Sequence, residues 1–164
     1  MKNKIFALGI MVFSVFAIVG TAQAVHYTRF GNAVDDREIR WNGGSAYRDQ
    51  LNGAINTWNA QRRVNIAPDT ILTFEDLRIS DVNRPDVEWT GIYLWVPGTD
   101  GMALNRAYLL RANNNYRQKV ATHELGHALG LDHSLFGNVM LQGYSEQTAL
   151  GAQDLSDYRY LWGN

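Results

Sequence analysis

Three histidines and a glutamate stand at offsets that can build a reaction centre. They are His123, Glu124, His127 and His133, in the stretch HELGHALGLDHSLFGNVM from His123 to Met140. On an α-helix, residues four apart lie one turn apart on the same face. His123 and His127 therefore project together and can present two imidazoles to one ion. Glu124 lies about 100° further around the axis, beside such an ion without needing to bind it. Gly130 permits a sharp turn after the helix, and that turn can return His133 to the same point as a third ligand. Three neutral imidazoles leave the fourth position of a tetrahedral zinc ion open, as in catalytic rather than structural sites. The chemistry this suits is hydrolysis. Zinc supplies Lewis acidity toward water and a carbonyl, while Glu124 serves as general base and then as general acid. Asp132 adjoins the third histidine and is a competing ligand, although the offset favours His133. The five-residue form alone occurs on ordinary helices; Gly130 and His133 at fixed offsets make the longer pattern far more restrictive.

Secondary-structure elements must position these side chains. A helix is expected from about Tyr116 to Leu129, with the Asn113-Asn114-Asn115 run offering a cap and Gly130 the stop. Upstream, Leu51, Ala54, Ile55 and Trp58 recur at i, i+3, i+4 and i+7, one face of an amphipathic helix with Ser45 as its N-cap. Strands are expected at Arg37–Trp41, Thr70–Phe74, Leu77–Val82, Thr90–Val96 and Ala107–Leu110, with Thr99–Asn105 read as a glycine-containing loop. Leu150–Trp162 reads as a last helix, its apolar stripe being Leu155, Tyr158 and Leu161. A sheet with helices packed on it is the layer solution for this order.

The 164 residues suit one domain. A hydrophobic content of 46% is enough for a packed core, and a net charge of −1 leaves no electrostatic footprint for nucleic acid. The chain has no cysteine, so disulfides and thiolate zinc sites are excluded and a metal must sit on His, Asp or Glu. Lys2 and Lys4, the apolar run Ile5–Val19 and Ala22-Gln23-Ala24 form the pattern of a secretory signal peptide over residues 1–24. Cleavage after Ala24 leaves residues 25–164 as a single secreted, extracellular catalytic domain. Without a cysteine to acylate or prenylate, no stable membrane association is expected after cleavage, and the domain is expected to be a monomer.

The long motif, HELGHALGLDH, resembles the metzincin pattern HExxHxxGxxH, and Ser134 after it makes the chain most similar to the matrixin branch. Met140 matches the Met-turn methionine of that clan. LGAQDLSDYRYLWG (Leu150–Gly163) is similar to the matrixin closing helix, and AINTWN followed by LTF (Leu72–Phe74) looks like its first helix and second strand. The resemblance implies an α+β zincin fold. Its features would be a twisted mixed sheet of about five strands, mostly parallel with one antiparallel edge strand, an active-site helix, and a small C-terminal subdomain ending in a helix. It implies one catalytic zinc on His123, His127 and His133, with Glu124 as general base. It places TGIYLWVPG as the edge strand that pairs with an extended substrate through Gly91, Ile92 and Tyr93, and Tyr144 in the wall of the specificity pocket. Gln142 replaces the usual proline of that wall. Tyr93 replaces a histidine of a second, structural zinc site, so no second zinc is expected. The function implied is a secreted zinc endopeptidase acting on proteins or peptides. A non-catalytic secreted zinc-binding module and a narrow-specificity toxin or processing enzyme are the alternatives. Glu124, which zinc binding does not require, favours an enzyme.

Overall fold

The computed structural model describes residues 25–163; the expected signal peptide lies outside them. The elements run β1 (Glu38–Gly43), α1 (Arg48–Asn59), β2 (Asn65–Pro68), β3 (Leu77–Val82), β4 (Gly91–Leu94), β5 (Asp100–Asn105), α2 (Arg106–Leu109), α3 (Asn114–Ala128) and α4 (Ala152–Trp162). The strands form one mixed sheet in the order β2-β1-β3-β5-β4. Every neighbouring pair is parallel except β4 with β5, which places β4 at an edge and antiparallel. This is an α+β architecture with helices packed on a mixed sheet. Among the described residues no helix is long and apolar enough to cross a membrane.

Helix α1 buries Leu51, Ala54, Ile55 and Trp58, the face its spacing predicts. The core continues through Ile39, Leu77, Ile79, Met102 and Leu104 of the sheet to Leu125 and Leu129 at the end of α3. Helix α3 is buried on all its faces from Lys119 to Ala128, so it has no apolar stripe to betray it. Asn113 caps it, its side chain accepting from the Tyr116 amide at 2.9 Å. Trp58 ties the two helices together by donating Nε1–H to the Thr122 carbonyl at 2.8 Å.

Four expectations are corrected. Thr70–Phe74 is a turn rather than a strand: the Thr73 hydroxyl donates to Asp69 at 2.6 Å and accepts from the Thr70 amide at 2.8 Å, so side-chain bonding displaces a sheet ladder. Ile71, Leu72 and Phe74 are left exposed, and the second strand lies earlier, at Asn65–Pro68. Thr99–Asn105 is not a loop but contains β5, where Asp100, Met102 and Leu104 alternate inward. Ala107–Leu110 falls largely in α2, started by Asn105, whose side chain accepts from the Ala107 amide. Ser45 does not cap α1. The N-cap is Tyr47, while the Ser45 hydroxyl donates to Asp81 at 2.6 Å and accepts from the Tyr47 amide.

Candidate metal centre and cleft

Helix α3 ends in a paired turn. The Leu131 amide donates to Gly126 and the Gly130 amide to His127, with Gly130 at φ 90. This double closure needs a left-handed residue, which glycine takes without strain. The same turn orients a histidine: the Leu131 carbonyl accepts from His127 Nδ1 at 2.8 Å. The Val139 carbonyl does the same for His123 Nδ1 at 2.9 Å. A carbonyl only accepts, so both Nδ1 atoms carry the hydrogen and both Nε2 atoms present a lone pair. The segment Tyr27–Arg29 braces the turn, with the Arg29 amide donating to the Gly130 carbonyl and the Asp132 amide to that of Tyr27.

The turn brings His133 back over the helix. One ligand atom from each of His123, His127 and His133 lies within 4.8 Å of the others, and His127 Nε2 stands 3.3 Å from His133 Nε2. A tetrahedral zinc ion with Zn–N bonds of about 2.0–2.1 Å sets its ligand nitrogens roughly 3.4 Å apart, so the donor set fits zinc. Asp132, the competing ligand, is exposed and its carboxylate accepts from the His133 amide at 2.7 Å. Burial holds the imidazoles neutral, as metal ligation requires: it lowers the pKa of His123 to about 2 and of His127 to about 4, and that of the less buried His133 in the same direction.

Glu124 projects from α3 against the edge strand. A side chain at Gly91 would meet Glu124 Oε1 at 2.8 Å and Val120 at 2.6 Å, so the glycine leaves the room the carboxylate occupies. Burial raises the Glu124 pKa to about 8, against the opposing influence of Lys119, the Tyr93 backbone amide and Arg29. Met140 is fully buried and packs against α3 between His123 and His127: a methyl on Gly126 would sit 2.3 Å from its sulfur. Asp154 of α4 holds this floor in place, accepting from the Val139 amide at 2.6 Å and the Met140 amide at 3.1 Å.

A cleft of about 620 Å³ opens over these groups. It takes Gly91, Ile92 and Tyr93 from β4, the three histidines and Glu124 from the centre, and Gln142 and Gly143 from the segment after Met140. Tyr93 itself is buried, its hydroxyl donating to Asp100. Tyr144 does not line the cleft. It is exposed and packs at a tilt on Tyr116, which does, at a centroid distance of 4.6 Å. Two residues that the sequence did not single out also shape the site, as does Asp154 of the Leu150–Gly163 stretch. Lys119 and Arg29 line the cleft, and Asp154 supports the floor. Lys119 carried a legible signal, since it precedes His123 by one helical turn. Arg29 carried none, because its place depends on a strand-like contact made across about a hundred residues.

Three convergent imidazoles with a buried glutamate one residue after the first, beside an edge strand, form a donor set that could hold a metal ion. The matrixin family model matches residues 31–163, and the chain belongs to this family of zinc metallopeptidases. Among solved structures, the chain is similar to one described as the GM1 bound form of the ECX AB5 holotoxin. The TM-score is 0.55 at 16% identity over 85% of this chain and 86% of that one, a likeness of fold. No curated protein matches the chain.

Proposed function

We propose that the chain is a secreted zinc endopeptidase, made with a signal peptide over residues 1–24 and active as residues 25–164. The observation that carries the reading is the convergence of three imidazole nitrogens within 4.8 Å beside a buried carboxylate that zinc binding alone does not need. His123, His127 and His133 would hold the ion, with Met140 beneath them. Zinc bound there supplies Lewis acidity toward a carbonyl and a water molecule. Beside a bound cation Glu124 would be held ionised, against the burial that otherwise keeps this group protonated. Glu124 then takes a proton from the water that attacks the carbonyl carbon and delivers it to the departing nitrogen. The outer edge of β4 offers main-chain groups to an extended peptide, which binds as an added strand through Gly91, Ile92 and Tyr93. Tyr144 contributes by bracing Tyr116 in the wall. One zinc ion per chain, a monomer and a C-terminal subdomain closed by α4 complete the proposal.

Reconstitution tests it. Chelation is expected to abolish cleavage of a peptide library, and stoichiometric zinc to restore it. Cleavage that persists in the zinc-free protein would refute the reading.

A further inference from the structure

Lys119 sits one turn before His123 on α3 and is only 3% exposed. Its Nζ donates to the carbonyls of Leu141 at 2.9 Å and Gly143 at 3.0 Å. No carboxylate among the described residues forms an ion pair with it. Glu124 and Asp154 act on it only from beyond ion-pair distance; a buried ammonium whose hydrogen bonds go to neutral carbonyls alone is costly, and a core that needed packing alone would use an apolar side chain here. Two of its three N–H donors are engaged, and the residue lines the cleft together with Tyr116, Val120, Gln142 and Gly143.

The opposite wall of this recess is anchored. Glu146 accepts from Asn113 at 2.8 Å and from the Tyr144 hydroxyl, and Tyr144 packs on Tyr116. The segment after Met140 is thus fastened to α3 at the Asn113 end by side chains and at the His123 end by Lys119. The other charged groups lining the cleft are Arg29, Glu88 and Glu124, and Glu124 is committed to the reaction.

We propose that Lys119 is a specificity-determining residue, its ammonium closing the recess between α3 and Leu141–Gly143 and selecting substrates that place a carboxylate side chain there. This rests on the endopeptidase reading above. An Asp or Glu side chain entering the recess meets an ammonium already stripped of water, with a donor to spare, and supplies a carboxylate in direct contact with it. A long apolar side chain would seal that charge away unpaired, which discriminates against it. Burial lowers the Lys119 pKa against the opposing influence of Glu124 and Asp154, so these more distant carboxylates only partly offset its desolvation.

The experiment profiles wild type, Lys119→Met and Lys119→Arg on a peptide library, with bound zinc measured for each. Wild type is expected to cleave peptides with Asp or Glu at one position flanking the scissile bond about tenfold faster (kcat/KM) than those with Leu or Met. Lys119→Met is expected to reverse that preference at the same position with its zinc retained, and Lys119→Arg to keep it. Chelator-sensitive cleavage by wild type without an acidic preference would overturn the inference and leave the peptidase reading standing; this arm decides the matter even if Lys119→Met does not fold. An unchanged profile in a folded Lys119→Met would also overturn it. If wild type shows no chelator-sensitive cleavage of any library member, both readings fall.

Discussion

At the scale of single residues, the site combines groups whose ordinary protonation has been moved in opposite directions by the same cause. Burial disfavours charge on His123 and His127 and equally on Glu124. The consequence for the metal-free protein can be worked out by linkage. His123 and His127 fall from 6.5 to about 2 and about 4 on folding. As pH drops below their unfolded value, the unfolded chain takes up protons that the native chain refuses, and stability is lost. Glu124 rises from 4.5 to about 8; between those values the native chain holds a proton that the unfolded chain has released, and stability is lost as pH rises. Two histidines outweigh one glutamate below 6.5, and only the glutamate acts above it. Urea unfolding of the chelated protein is therefore expected to show these groups' contribution peaking at about pH 6.5. Bound zinc is expected to erase the alkaline decline by stabilising the Glu124 carboxylate. A chelated protein whose stability climbs steadily from pH 6.5 to 8 would contradict this.

At the scale of elements, a relay links the last helix to the first ligand. Asp154 on α4 accepts from the Val139 and Met140 amides, and the Val139 carbonyl orients His123. Asp154→Ala leaves two buried amides without partners, and is expected to cost about 3 kcal/mol in chemical denaturation and to weaken zinc binding about tenfold. Unchanged zinc affinity in a folded variant would break the relay. Asp154 also shows what could be read from the sequence and what could not. The spacing of Leu51, Ala54, Ile55 and Trp58 identified α1, and the alternation of Leu77–Val82 identified β3, because each has one dry face and one wet one. The His123–His133 motif and Gly130 located the end of α3, where apolar periodicity is missing because every face is buried. In α4 the stripe Leu155, Tyr158, Leu161 misstates the inner face, whose fully buried members are Asp154, Asp157 and Tyr158; polar groups occupy it because they have backbone and side-chain partners there. Thr70–Phe74 looked like a strand by composition, but threonine hydroxyls closed it into a turn. β5 looked like a loop because of Gly101, though its sheet neighbours on both sides supply the ladder.

At the scale of the whole molecule, the candidate metal centre joins parts far apart in the chain. The segment at Tyr27–Arg29, the end of α3, the floor at Val139–Met140 and helix α4 all meet around it. No disulfide is available to hold them, since the chain lacks cysteine. An ion bound by the native state alone stabilises that state by mass action, about 4 kcal/mol at a free concentration of a thousand times Kd. Thermal unfolding of residues 25–164 is thus expected to shift upward by about 10 °C with excess zinc over the chelated protein, with His133→Ala losing most of the shift. Equal Tm with and without zinc would mean that the three histidines do not bind zinc tightly enough to act as its site.

In the proposed reaction the mixed sheet, with β4 as its antiparallel edge, would present this centre to a peptide, and Glu124 would move the proton. The most direct measurement is kcat/KM and bound zinc for Glu124→Gln against wild type. A fall of at least about 10² in kcat/KM, with one zinc ion per chain still bound, is predicted. Wild-type turnover in zinc-loaded Glu124→Gln would contradict the account.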